Sequence, residues 1–281
     1  MTTIDEKHAL SKKIVDLIDH LPPLPETIIE LRKVAADPKV RFSNIIPILK
    51  RDPPLCADLL HLVNSAYFSL NHAVNDVGEA LRIFGVEPLI NFVTLSFSEK
   101  AIREYFSEIK NLNTYFHHSR QISKVAALLA KKAKKDRKTQ EFVSVAGLLH
   151  DIGRLIIMLA EDKKSFELAG NSIESLLCII KSEHDITGMN HCIIGSTICK
   201  KWQLSELLQK TIQYHHTPLE NGVHSEAGII FLSHFITFEE VSDMMLATTL
   251  PQDKINDMGL SAKILIAAKN DFLKLQAKDK I

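Results

Sequence analysis

The sequence predicts an all-α, multi-helical protein in two lobes, an N-terminal one over residues 1–110 and a C-terminal one over residues 111–281. Three observations predict this. Apolar residues recur at helical spacing along most of the chain, and no long run alternates apolar with polar residues as a strand would. The periodic stretches are separated by proline, asparagine or glycine, each of which interrupts a helix for its own backbone reason. The segment Asn111-Leu112-Asn113-Thr114 after Lys110 marks the join, because both asparagines favour turns over helix interiors.

The first helix is broken at Leu21-Pro22-Pro23-Leu24-Pro25, where each proline lacks a donor and pushes the residue before it out of the helical region. Thr27 to Val34 is a helix that stops near Asp37-Pro38. Phe42-Ser43-Asn44 offers an N-cap ahead of Ile45, Ile46, Ile48 and Leu49. Asp52 caps the next helix, with Pro53 in its first turn, and Leu55, Leu59, Leu60 and Val63 follow at helical spacing. Asn75-Asp76-Val77 opens a helix that runs through Ala80, Leu81 and Ile83 to a stop at Gly85, and a further helix covers Leu89 to Ser107. Beyond the join the periodicity predicts helices over 115–135, 139–150, 172–183, 190–201, 204–216 and 224–238. The polar tail from Lys274 to Ile281 is expected to fray.

Composition narrows the function classes. A hydrophobic fraction of 46% supports a real core. Lysine plus arginine equals aspartate plus glutamate, 34 of each, so net charge exerts no global pull toward nucleic acid or an acidic membrane surface. The basic run Lys131 to Lys138 ends a helix, where cations are favoured, and no aromatic residues interleave with it as a single-strand binding platform requires. Cys56, Cys178, Cys192 and Cys199 form no C-x-x-C pair, and the simplest reading of them is small buried apolar side chains. Thr2-Thr3-Ile4-Asp5-Glu6 is unlike a signal peptide, and no apolar stretch is expected to reach the roughly 18 residues of a membrane helix. The expected compartment is the cytoplasm.

The unusual component is histidine, with 13 copies. Steps of 4, 3 and 4 residues from His118 reach Ile122, Val125 and Leu129, an apolar stripe, whereas the same steps from His117 reach Gln121, Lys124 and Leu128. His118 should therefore point inward and His117 toward water. The run from Val145 to Leu149 places His150 and Asp151 at the end of an apolar helix, and a buried carboxylate needs a partner, of which a metal ion is one. From His191 the steps reach Gly195, Ile198 and Trp202, again a packing face. His215 and His216 close the helix that carries Leu208 and Ile212. Each of these residues has a plain alternative: a hydrogen-bonded core histidine, or one placed by the helix dipole. Four helices presenting such a group together point instead to a shared pocket.

The motifs Leu21-Pro22-Pro23-Leu24-Pro25, Arg51-Asp52-Pro53, Asn64-Ser65-Ala66-Tyr67 and Ala80-Leu81-Arg82-Ile83-Phe84-Gly85, in that order, resemble the successive signatures of the HDOD family. The order His118, His150-Asp151, His191, His215-His216 is similar to that of the HD superfamily, helical metal-dependent phosphohydrolases and their inactive relatives. Together the resemblance covers about residues 15–240. It implies a C-terminal lobe of HD-superfamily type and the metal ligands His118, His150, Asp151, His191, His215, His216 and His234.

Three departures bear on activity. His234 stands where active relatives carry a late aspartate, Thr217-Pro218-Leu219-Glu220 stands where the HD-GYP branch carries Gly-Tyr-Pro, and Arg154 replaces a lysine. Arginine keeps the charge and can still clamp phosphate. A mostly imidazole donor set suits a divalent transition metal, namely iron, zinc or manganese, rather than magnesium. The expectation is a bacterial signalling or regulatory protein without turnover, acting through protein partners or a nucleotide, with neither membrane nor nucleic acid as a partner. The alternative is a metal-dependent phosphohydrolase in which Asp151 and Arg154 are catalytic. The pair Asn64-Ser65 is expected to serve helix–helix hydrogen bonding, and His184-Asp185 to lie in a solvated turn.

Overall fold

The computed structural model describes residues 3–23, 26–35, 37, 39–64, 72–86, 89–90, 93, 102–162, 173–219, 225–248 and 250–278. Its elements are helices, with no strands among the described residues. They form two compact units, Pro22–Tyr105 on the one hand and Met1–Leu21 with Phe106–Ile281 on the other. In this grouping the first helix belongs with the C-terminal half, whereas the sequence division runs 1–110 and 111–281.

That helix, α1 (Ile4–Asp19), begins in a reciprocal cap: the Glu6 amide donates to Thr3 Oγ1 and the Thr3 amide donates to Glu6 Oε2. Its buried residues Ile14 and Ile18 face helices of the C-terminal half. Ser11 donates to the Thr187 carbonyl and Lys201 to the Asp19 carbonyl. No periodicity in α1 announces this partner, since an amphipathic helix shows which face it buries and not against what.

The unit Pro22–Tyr105 contains α2 (Glu26–Ala35), α3 (Phe42–Lys50), α4 (Pro53–Val63) and α5 (Val77–Phe84). Its core is aliphatic: Ile28, Leu31, Ile45, Leu49, Leu59, Val63 and Leu81 are buried. Asp52 caps α4 by accepting from the Leu55 amide, and Asp76 caps α5 by accepting from the Gly78 and Glu79 amides, as the sequence predicts. Gly85 stops α5 with φ 82°, a left-handed conformation that costs other residues more. α3 starts earlier than expected, at Phe42, because Asn44 Oδ1 accepts from the Arg41 amide and so closes the first turn from inside it. Asn64 is structural: its side chain donates to the carbonyls of Leu60 and Val74 and accepts from the Val74 amide. Ser65 and most of the helix expected over Leu89 to Ser107 lie outside the described residues.

The larger unit continues with α6 (Leu112–Lys132), α7 (Arg137–Leu149), α8 (Ile152–Ala160), α9 (Ile173–Thr187), α10 (His191–Lys201), α11 (Glu206–Tyr214) and α12 (Ser225–Thr237). It ends with α13 (Asp243–Thr248), α14 (Gln252–Asp257) and α15 (Ala262–Lys278). The polar tail is helical from Lys274 to Lys278, continuing a helix whose Asp271 pairs with Lys132 at 2.6 Å. α6 packs against α7, α12 and α15, and α10 packs against α8 and α11. At the α6–α7 crossing a Cβ on Gly147 would meet the Ser123 backbone at 2.8 Å, and the Ser123 and Ser144 hydroxyls pair at 2.9 Å. Arg137–Ala160 is long and apolar enough by composition to cross a membrane, which individual apolar runs do not reveal, but 83% of its apolar window is buried inside the fold.

Gly153 is the tightest junction near the pocket. It is the second residue of α8, and a Cβ there would lie 2.1 Å from the His191 carbonyl oxygen and 2.8 Å from the Gly195 amide. Both neighbours are backbone, so α8 and α10 would have to separate. Gly153→Ala is expected to cost about 3 kcal/mol, read as a lower urea midpoint at unchanged slope; a midpoint equal to wild type would refute this close approach.

Candidate metal centre

Five segments deliver the pocket. α6 carries His118, and the α7–α8 junction carries His150 and Asp151. The start of α10 carries His191, the end of α11 carries His215 and His216, and α12 carries His234. The stripe argument holds: His118 is buried and His117 exposed, while Gly195, Ile198 and Trp202 are buried on the His191 face. His150, His191 and His215 are 0% exposed, and Asp151 and His234 are nearly as covered. His216 is partly exposed as a residue, but its Nδ1 is buried. All seven residues expected as ligands converge on one site.

Asp151 is its centre. It occupies the N-cap position of α8, yet its side chain makes no capping bond and turns into the pocket. One carboxylate oxygen, Oδ2, lies 3.5 Å from His150 Nε2, 3.6 Å from His118 Nε2 and 3.2 Å from Arg154 Nη1. The other, Oδ1, lies 3.4 Å from His191 Nε2 and 3.8 Å from His215 Nε2. A single carboxylate thus faces two groups of imidazoles.

The outer contacts settle which ring nitrogens look inward. His150 donates from Nδ1 to the Gly147 carbonyl (2.8 Å), His215 from Nδ1 to the Ile212 carbonyl (2.7 Å), and His234 from Nδ1 to the Ile230 carbonyl (3.1 Å). A carbonyl only accepts, so in each neutral ring the proton is on Nδ1 and Nε2 offers a lone pair to the pocket. His191 Nδ1 is held by Glu183 Oε2 at 2.6 Å, and the same oxygen accepts the His191 backbone amide at 2.8 Å. These are the outer contacts with which proteins orient metal-ligating histidines. His150 Nε2 and His216 Nδ1 are buried with no hydrogen-bond partner, although such groups are costly to leave unpaired. The donor atoms of three overlapping groups lie within 4.8 Å of one another: His118, His150 and His234; His150, Asp151 and His215; His191, Cys192, His215 and His216. The residues fit a transition-metal ion.

Burial and the neighbouring His150 push the pKa of His118 down to about 3. Burial, then neighbouring histidines, hold His215, His216 and His234 well below the ordinary range. Burial alone would raise Asp151, but His150 and Arg154 outweigh it and keep the carboxyl well below its usual value. His191 is the exception: burial opposes its protonation, yet Cys192 and Glu183 hold it well above the ordinary range.

Two residues in the pocket escaped the sequence reading. Glu183 belongs to the polar run that includes His184 and Asp185; those two are exposed, on α9 rather than in a turn, while Glu183 turns inward. The signal was present, since Leu176, Ile179, Glu183 and Thr187 form one stripe on α9. Cys192, read as a small apolar residue, places Sγ 3.5 Å from His191 Nε2. Arg154, 8% exposed, lies beside Asp151, with Nε 4.0 Å from Glu183 Oε1. Glu183→Gln keeps the size and removes the charge behind His191. It is expected to weaken metal binding about 10–100-fold, measured by zinc titration calorimetry; unchanged affinity would remove Glu183 from the site.

A helical protein with a buried pocket of six histidines round one aspartate is of the HD type. The HDOD domain model matches residues 21–218, and the chain belongs to the HDOD family. An uncharacterized protein of Treponema pallidum (strain Nichols) is 28% identical over 207 residues, 74% of this chain; the chain spans only 40% of that relative's length. Among solved structures, an HDOD domain protein of unknown function from Geobacter sulfurreducens superposes with TM-score 0.67 at 20% identity, covering 96% of both chains. A protein of Shewanella amazonensis SB2B provisionally named a phosphohydrolase gives 0.64 at 21% identity, covering 94% of both. One of Marinobacter aquaeolei VT8 provisionally named a signal transduction protein gives 0.63 at 17% identity, covering 98% of this chain and 65% of the other. At these identities the superpositions establish the fold.

Proposed function

We propose that this chain is a regulatory HDOD protein whose pocket holds iron, zinc or manganese without turning over a phosphoester, and which acts in the bacterial cytoplasm through protein partners or a nucleotide. The observation that carries this reading is the donor set: six imidazoles and a single facing carboxylate, with His234 on α12 instead of a second carboxylate. Imidazole donors select transition metals over magnesium. A single inward carboxylate, with Glu183 taken up by the outer side of His191, leaves little negative charge to retain two cations, as a phosphoester site of the two-metal kind requires. When bound, the metal supplies Lewis acidity and a fixed positive charge. Asp151 and the inward Nε2 atoms would hold it, while Glu183 fixes the His191 ring and Arg154 lies against the Asp151 carboxylate. The provisional naming of the Marinobacter relative points the same way.

The second reading, a metal-dependent phosphohydrolase, is favoured by Arg154, a cation beside Asp151 that suits phosphate oxygens, and by the provisional name of the Shewanella relative. A substrate panel separates the two. Wild type loaded with iron, manganese or zinc is expected to show no turnover of phosphomonoesters, nucleotides or cyclic dinucleotides. Metal-dependent hydrolysis that vanishes in both Asp151→Asn and His150→Ala would establish the enzyme instead.

A further inference from the structure

Resting on the reading of the pocket as a metal site, we infer that Cys192 is a metal ligand, and that His191, Cys192, His215 and His216 form a sulfur-containing subsite selective for a thiophilic ion such as zinc.

The ligand edges carry this. With Zn–N bonds of about 2.0–2.1 Å and a Zn–S bond of about 2.3 Å, a tetrahedral ion separates two nitrogens by about 3.3 Å and a nitrogen from a sulfur by about 3.6 Å. His191 Nε2 lies 3.3 Å from His215 Nε2 and 3.5 Å from Cys192 Sγ. The donor atoms of the four residues all lie within 4.8 Å of one another. His216 brings an independent sign of a missing partner, a buried Nδ1 with no hydrogen bond.

Cys192 is the second residue of α10; burial pushes its free thiol up, so its proton leaves only when a metal ion takes its place. A metal-bound thiolate there would add a negative ligand beside Asp151, with Glu183 taken up by the outer side of the His191 ring. It also separates the two halves chemically. His118, His150 and His234 make an all-nitrogen group on the Oδ2 side of Asp151, whereas the sulfur lies with His191 and His215 on the Oδ1 side. Thiolate ligation disfavours magnesium and manganese at this subsite and favours zinc.

Cobalt(II) and zinc(II) test the assignment on the full chain. Metal-free wild type titrated with cobalt is expected to develop a near-ultraviolet thiolate-to-cobalt charge-transfer band, and zinc-loaded protein to show a sulfur scatterer near ~2.3 Å by X-ray absorption. The band should persist in Cys199→Ala and Cys178→Ala and vanish in Cys192→Ser, with zinc affinity at least tenfold weaker, about the least that loss of even an outer partner costs. The wild-type absorption spectrum decides the matter if Cys192→Ser does not fold. Cobalt and zinc binding with nitrogen and oxygen ligands only would overturn the role of Cys192 while leaving the metal site standing. Folded wild type that takes up neither ion would overturn the metal reading itself.

Discussion

The metal-free protein is expected to lose stability steeply between about pH 6.5 and 4, because of its buried neutral histidines. His118, His215, His216 and His234 all have pKa values below the ordinary histidine range, His118 at about 3. A histidine of this kind takes up protons in the unfolded chain before it does so in the folded one. Its contribution to stability is complete above the unfolded value, about 6.5, and is lost as pH falls from there toward the folded value. Within that interval each such group costs up to about 1.4 kcal/mol per pH unit, set against domain stabilities of about 5–15 kcal/mol. Asp151 and His191 do not act in this interval. Asp151, held low, contributes fully above its unfolded value of about 3.9, and its contribution fades only below that. His191, held high, is charged in both states there and loses its contribution only as pH rises through its folded value. Urea midpoints at pH 7, 6 and 5 measure the effect, which the double substitution His118→Gln, His234→Gln should flatten. A midpoint that does not move between pH 7 and 5 would mean that these rings are not held neutral.

Asp151→Asn is expected to lower metal affinity at least about a hundredfold, since loss of an outer partner alone costs up to that much. Asp151 approaches both imidazole groups, so its charge is shared by the whole pocket. The amide keeps the size but offers no negative charge, and it leaves the buried Arg154 beside a neutral group at a cost of about 3 kcal/mol. Far-ultraviolet circular dichroism should still report a helical protein at neutral pH, because the aliphatic cores of α6, α7 and α12 are untouched. Metal analysis after dialysis checks the prediction: occupancy equal to wild type would move the metal away from Asp151.

Much of this molecule was legible in its sequence. Helical periodicity with Pro, Asn and Gly breaks determined the all-helical class, and Asp52, Asp76 and Gly85 marked helix ends because capping and left-handed backbone are local matters. The inward direction of His118 and His191 followed from their stripes, because burial of a helix face repeats every 3.6 residues. Only the tertiary structure decided that α1 packs with the C-terminal half, that Gly153 lets α8 approach α10, and that Glu183 and Cys192 belong to the pocket. It alone assigned the tautomers, through carbonyls at Gly147, Ile212 and Ile230. The reason is physical. Periodicity records that a side chain leaves water, but what it meets there is fixed by helices far apart in the chain, and the chemistry of a buried polar group depends on that partner.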